Sequence, residues 1–282
     1  MIEMNTATKT FRLENGVEIP AVGFGSFLAT DSKGPQNIKD ALDAGYRYID
    51  TAKFYNNEEE IGIALQEYGI AREEIFLCSK VWPSDLGKEW TLRSFEESCA
   101  KLRTDYLDMF LIHWPKEDPE DPEWFSKVAE AWKVMEALYK EGRIKAIGLS
   151  NFLPHHIKPL LEIAEIRPMV DQLELHVGYM QEYTLAYLDK EGILPQAWSP
   201  LGRARVINDE RVTKVATKYG VSNAKLLLKF LVQRGIPVIP KASSIERMKE
   251  NKDIFGFEIT EEDISYLSCL PEFGYSGEHP DF

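Results

Sequence analysis

Apolar and polar positions alternate on both sides of Asn15-Gly16 in residues 10–25, TFRLENGVEIPAVGFG. That dipeptide suits the positive φ angles of a tight turn, so the pattern predicts a β-hairpin at the start of the chain. Beyond it, short apolar runs read as strands: YRYIDT (46–51), EIFLCSKVW (74–82), YLDMFLIHW (106–114), IKAIGLSN (144–151), MVDQLELH (169–176), ILPQAWS (193–199) and IPVIPK (236–241). Between them, 89–102, 125–140, 154–165 and 222–234 carry helical periodicity. With AVGFG (21–25) as the first strand, eight strands each precede a helical stretch, and neighbouring strand ends lie 22 (Ser150 to Gln172) to 43 (Trp198 to Lys241) residues apart. A (β/α)8 barrel averages roughly 31 residues per unit. The prediction is an α/β fold: a (β/α)8 TIM-type barrel, closed at the bottom by the N-terminal hairpin. No composition break or linker divides it, so residues 1–282 are expected to form one domain. A doubly wound dinucleotide fold is excluded because Gly23-Phe24-Gly25 is followed by Ser26, Phe27 and Leu28, without the third glycine.

Composition narrows the partners. Lys and Arg number 33 against 46 Asp and Glu, a net charge of −13, which argues against nucleic acid and anionic membrane surfaces. Cys78, Cys99 and Cys269 have no metal-ligand spacing and suggest reduced thiols in a cytoplasmic protein. The N-terminus carries no apolar signal core, and no apolar stretch is long enough to span a bilayer. Without a dimerisation heptad, a monomer is expected.

In such a barrel the carboxyl ends of the strands converge on one mouth. Asp50 ends the second strand, Lys80 the third and His113 the fourth, and Tyr55 follows Asp50 by five residues. A phenol is a weak acid near neutrality, and an adjacent cation eases its proton release. Lys80 supplies the cation, Asp50 the carboxylate that keeps a buried lysine charged, and His113 a hydrogen bond to orient a substrate oxygen. These four form a set for proton transfer to a carbonyl oxygen gaining negative charge.

A hydride must come from a cofactor. The segment KASSIERMKENK, Lys241 to Lys252, carries four cations and two carboxylates, a local reversal of the chain's sign. Ser243-Ser244-Ile245-Glu246 has the S-x-x-E form of a capping box, so a helix N-terminus that favours phosphate follows the last strand. Arg247 and Asn251, four apart, share a helical face. Ser150, Asn151 and Gln172 offer donors and acceptors for a carboxamide, and Trp198 a surface on which a ring can stack.

The blocks GYRYIDTAKFYNNE, SKVW, LIHWP, IGLSNF, DQLELH, AWSPLGR and IPKASSIERMKEN resemble, in order and spacing, the aldo-keto reductase family, over nearly the whole chain. The brief C-terminus and AWSPLGR are similar to the short-tailed microbial branch with 2,5-diketogluconate reductase and prostaglandin-F-synthase-like enzymes. The resemblance implies NADPH-dependent carbonyl reduction, with Asp50, Tyr55, Lys80 and His113 as the tetrad and Tyr55 as general acid. It also implies that Lys241, Ser243 and Arg247 hold the adenosine 2′-phosphate and Asn251 the adenine. Ser199, Leu201 and Arg203 would lie along the pyrophosphate, with Ser26 and Asp50 near the nicotinamide ribose. Ala242 stands where the family commonly has a hydroxyl residue, which makes NADH possible as well.

Phe27, Phe54, Trp82, His113 and Trp114 lie near the strand ends and would wall a pocket for an apolar or amphipathic small-molecule carbonyl substrate. The stretch 116–123 holds five carboxylates and one lysine, and is expected to disfavour anionic substrates. Two other readings are a glycosidase built on Asp171 and Glu174, which strand alternation opposes, and a nicotinamide-binding regulatory subunit with slow turnover. His155 and His156, adjacent on a helix, are read as surface residues without a metal.

Overall fold

The computed structural model of the chain describes residues 3–31 and 33–282. Seven parallel strands stand side by side in chain order: β4 (Phe24–Gly25), β5 (Tyr48–Asp50), β6 (Phe76–Val81), β7 (Met109–Ile112), β8 (Ile147–Ser150), β9 (Val170–Glu174) and β10 (Leu194–Trp198). Their register aligns the carboxyl ends, with Gly25 beside Asp50, Asp50 beside Cys78, Ser150 beside Gln172 and Glu174 beside Trp198.

The eighth stave, at 236–241, is reduced to bridges made by Val238 to Val22 on one side and Ala197 on the other. Pro237 and Pro240 explain this, because neither has an N–H to give a ladder. Val238 N–H bonds the Ala21 carbonyl at 2.9 Å and Ile239 N–H the Ala197 carbonyl at 3.2 Å, while the two proline carbonyls accept from Ala197 and Gly25. The sheet thus closes into the predicted barrel. A Cβ on Gly25 would lie 2.6 Å from the Ile239 carbonyl, so the seam requires glycine there.

The predicted hairpin is part of a three-stranded antiparallel sheet of β1 (Met4–Asn5), β2 (Thr10–Arg12) and β3 (Glu18–Pro20). Gly16 takes φ +88°, and the Asn15 amide bonds the Lys145 carbonyl at 2.8 Å just before β8, fixing the turn at the amino-terminal end of the barrel. Phe11 and Ile19 are fully buried and plug that end.

The helices α1 (Pro35–Asp43), α2 (Glu58–Tyr68), α3 (Lys88–Leu102), α4 (Trp124–Lys140), α5 (Pro154–Ile163), α6 (Glu182–Glu191), α7 (Glu210–Tyr219), α8 (Asn223–Gln233), α9 (Ile245–Lys252) and α10 (Glu261–Ser268) complete the architecture. The longest interval between staves holds two of them, α7 and α8. Three glutamates in the first turn of α2 complement its dipole, and Gly69 ends it at φ +75°. Among the described residues, no helix is long and apolar enough to cross a membrane.

Candidate active site

After Asp50 the chain turns through a short 3-10 segment, Lys53–Tyr55, and Asn56 at φ 53° redirects it into α2. This fold-back carries Tyr55 to Lys80, which lies fully buried on β6. Lys80 Nζ is 2.6 Å from Asp50 Oδ1, 2.9 Å from the Thr51 carbonyl and 3.4 Å from Tyr55 Oη. An ammonium has three donors and no acceptor, so the phenol oxygen accepts from Lys80 and its own hydrogen is left to point elsewhere.

Burial alone would lower the Lys80 pKa, but the Asp50 carboxylate and then the Tyr55 phenol raise it above its ordinary value. Burial pushes the Tyr55 phenol up to about 12, and the nearby ammonium offsets only part of that rise. Lys80 does ease proton release, as expected, but desolvation exceeds the attraction, so the phenol remains a weaker acid than in water. The His113 imidazole is pushed well below its usual range by burial and then by Lys80, so it is neutral. The His113 and Tyr55 ring centres are 5.5 Å apart and nearly perpendicular.

Phe54 stacks on Trp82 at 3.9 Å, Trp82 meets His113 edge-on at 5.1 Å, and Phe27 lies 5.0 Å from Tyr55. Trp114 is half-buried and enters no ring pair among the described residues. The Trp82 indole N–H bonds Glu117 at 3.3 Å. A cavity of about 380 Å³ opens beside this bond, lined by Pro83, Leu86, Pro115, Glu117, Asp121 and Trp124.

Beside the tetrad lies a layer of buried polar groups. Gln172 Nε2 donates to Asp50 Oδ2 at 2.8 Å and to Gln196 Oε1 at 2.7 Å, and Tyr48 Oη donates to the same Gln196 oxygen at 3.1 Å. Asn151 is held by its own neighbours: Nδ2 donates to the His113 carbonyl and Ser150 Oγ, and Oδ1 accepts from the Trp198 indole at 2.8 Å. Ser26, fully buried, donates its N–H to the Asp50 carbonyl and accepts from Asn57. Ser199 (φ 48°) and half-buried Leu201 follow Trp198 around the rim.

The basic segment forms a separate arm, without a hydrogen bond or ion pair to the tetrad among the described residues. Its cap is Ser244, not Ser243: Ser244 is extended (φ −132°, ψ 147°) and its oxygen accepts from Arg247 N–H. Glu246 is therefore the second helical residue and no capping box forms. Ser243, Lys241 and Arg247 are exposed, and the last two enter no ion pair among the described residues. Asn251 is buried and Ala242 nearly so, its carbonyl held by Asn37.

The C-terminal tail crosses this region. Ser276 N–H and Oγ bond Glu174, and Glu278 pairs with Arg203 at 2.6 Å, so the cation expected beside pyrophosphate already has a carboxylate partner. Asp281 meets His155 at 3.1 Å, His156 at 3.0 Å and Lys116 at 3.2 Å. The two histidines thus converge rather than point apart, and His156 is buried, which corrects its reading as a surface residue. The trio is not a ready cation site. His156 Nδ1 accepts from Leu153 N–H at 3.2 Å, so Nε2 carries the proton, donates to Asp281 and has no lone pair for a metal.

Tyr48, Gln196 and Glu278 join the site without a sequence expectation, while Glu117 and Glu174, read from the sequence as part of an acidic rim and of a glycosidase pair, enter it as acceptors for Trp82 and Ser276. Tyr48 lies two residues before Asp50 and Gln196 two before Trp198, so strand alternation placed both on the site face. The tail contacts carry no local signal.

The sequence profile described as the aldo/keto reductase family matches residues 29–270. The chain is 43% identical over 280 residues to glyoxal reductase of Bacillus subtilis, covering 99% of each. It is 38% identical over 282 residues to 9,11-endoperoxide prostaglandin H2 reductase of Trypanosoma cruzi, covering 99% of this chain and 97% of the other. Its fold is similar to the crystal structure of an aldo/keto reductase from Brucella melitensis, with a TM-score of 0.86, 38% identity and coverage of 92% and 98%.

Proposed function

Because the chain belongs to the aldo/keto reductase family, we propose that it uses NADPH to reduce aldehydes or ketones to alcohols, with Tyr55 as the proton donor. The observation that carries this reading is the phenol of Tyr55 accepting from a buried ammonium that is itself paired with Asp50. Tyr55 thereby keeps its own proton free to give to a bound oxygen.

A bound reduced nicotinamide supplies the hydride. The chain's own groups suit such a ligand: exposed Lys241, Ser243 and Arg247 and the free N–H groups of a capped helix for a phosphate, and a hydrogen-bonding layer at Gln172 for a carboxamide. In turnover, neutral His113 donates a hydrogen bond to the carbonyl oxygen and holds it near the phenol. Tyr55 then protonates that oxygen as it gains charge, and Lys80 stabilises the phenolate left behind. Asp50 keeps Lys80 charged in a site from which water is largely excluded. The aromatic group of Phe27, Phe54 and Trp82 favours an uncharged carbonyl compound, and small α-dicarbonyls are the first substrates to try, given the relative named glyoxal reductase. We read residues 1–282 as one domain acting as a monomer in the cytosol.

The test is NADPH oxidation, followed by absorbance, against a panel of aldehydes, α-dicarbonyls and keto-sugars. Turnover by the native chain and a loss of roughly a hundredfold or more in Tyr55→Phe, with dinucleotide binding retained, is the expected result. A phenylalanine variant at full rate removes Tyr55 as the acid.

A further inference from the structure

We propose that Gln196 is a positioning residue that fixes the plane of the Gln172 side-chain amide, so that Gln172 offers a ligand its carbonyl oxygen and nothing else. This rests on the dinucleotide-dependent reading above and specifies how one end of the site selects its ligand. The hydrogens of Gln172 Nε2 are both committed, one to Asp50 Oδ2 at 2.8 Å and one to Gln196 Oε1 at 2.7 Å. Two acceptors at those distances leave a planar amide neither rotation nor a flip. A flipped Gln172 would set its oxygen against the Asp50 carboxylate and the Gln196 oxygen, with no hydrogen between it and either of them.

Asp50 alone fixes one hydrogen and leaves the amide free to swing about that bond. Gln196 supplies the second point. Its oxygen accepts in turn from Tyr48 Oη at 3.1 Å, the nearer of the two acceptors facing that one hydrogen, Asp50 Oδ2 being 3.4 Å away, and Tyr48 is fully buried and packed edge-on against Phe76 at 4.8 Å. Gln196 serves only as an acceptor: its own Nε2 is buried and has no partner among the described residues.

The ligand class follows from this orientation. A group meeting Gln172 must donate, as a primary carboxamide does through its N–H2, whereas a methyl ketone in the same place has no hydrogen to give. Carboxamide-bearing dinucleotides are therefore selected over their acetyl counterparts, and Gln196 sets the margin.

The experiment measures Kd for NADP+ and for its 3-acetylpyridine analogue by quenching of protein fluorescence in the native chain, Gln196→Met and Gln196→Glu. The native chain is expected to bind NADP+ at least about fivefold more tightly than the analogue. Gln196→Met, which keeps the length and removes the oxygen, should narrow that ratio by about threefold or more, with the loss falling on NADP+. Gln196→Glu retains an acceptor and should keep the native ratio while the methionine variant narrows it, a contrast that a merely structural role, moving both variants alike, would not predict. If the methionine variant keeps the native ratio, or the glutamate variant loses it, Gln196 does not orient Gln172. Should Gln196→Met fail to fold, Gln196→Leu, which also removes the oxygen, is measured in its place and carries the same two outcomes. Failure of the native chain to bind either dinucleotide would instead overturn the functional reading itself.

Discussion

Replacing Lys80 with methionine tests the centre of the site. The change keeps most of the side-chain volume and removes the three hydrogen bonds of Nζ, leaving the Asp50 carboxylate buried with Oδ1 unpaired. Removing one partner of a buried ion pair costs roughly 3–5 kcal/mol. Asp50 Oδ2 still accepts from Gln172, so the lower end, about 3 kcal/mol, applies. For 282 residues, an unfolding entropy of roughly 2.1 cal/mol/K per residue gives about 0.6 kcal/mol/K, and the melting temperature should fall by about 5 °C. The double variant Lys80→Met, Asp50→Asn removes the stranded charge and should recover most of that loss. Catalysis should not recover with it, because Tyr55 has lost its cation in both variants; a drop of roughly a hundredfold or more in kcat is expected in each. Thermal melts by circular dichroism with parallel NADPH-oxidation assays make the comparison. A single variant melting within about 1 °C of the native chain, with no gain in the double, would mean that Asp50 carries no stranded charge and the pairing is not what holds the site together.

Other outcomes follow from the same geometry. Because the Tyr55 phenol is pushed up to about 12 and Lys80 is also raised, carbonyl reduction should be flat in rate between about pH 6 and 9, while alcohol oxidation, which needs the phenolate, should climb about tenfold per pH unit; a plateau in oxidation below pH 9 would refute this. His113 is held well below, and His156 down at about 4, their usual value near 6.5, so the unfolded chain takes up protons first as pH falls. Their contribution is therefore lost from about pH 6.5 downward, and denaturant midpoints should drop between pH 7 and 5 by less in His156→Asn than in the native chain. Arg247→Ala should raise KM for NADPH by about tenfold or more and leave that for NADH within about twofold, with equal losses ruling out a 2′-phosphate contact. The carboxylates at 117–123 should make a neutral aldehyde a better substrate than its carboxylate analogue, by a margin that shrinks with added salt; a salt-independent ratio near one would dismiss the effect.

The chain's local patterns reveal the barrel because each stave ends in a change of period, and Asp50, Lys80 and His113 because they interrupt apolar runs at the same end, with Tyr55 found five residues beyond the first of them. What escapes local reading is pairing between distant segments. Asp281 meets His156 across 125 residues and Ser276 meets Glu174 across 102, and no periodicity encodes either contact. The helix cap shifts by one residue because Ser243 and Ser244 are equally good acceptors by type, and only the path of the chain after Pro240 decides which of them caps. The short strand at Met4–Asn5 has no alternating pattern and pairs only because the hairpin offers it an edge. The raised phenol pKa escapes for a quantitative reason: the residue types show the cation that lowers it, and only the fold shows the burial that outweighs it.

The proline-flanked eighth stave makes the barrel resemble a hooped cask with one thin board. Seven boards are tied by regular ladders, whereas this one is tied through Val238 and Ile239 and the carbonyls of two residues that cannot donate. Thermal opening of the hoop should start there, and amide deuteration should reach Gly23, Val238 and Ile239 before the amides of β6 and β7. The basic arm begins where that board ends, at Lys241. An anion gripped by the arm would clamp the thin board and slow deuteration along both of its edges, so the loosest part of the circle is also the part that a ligand tightens most.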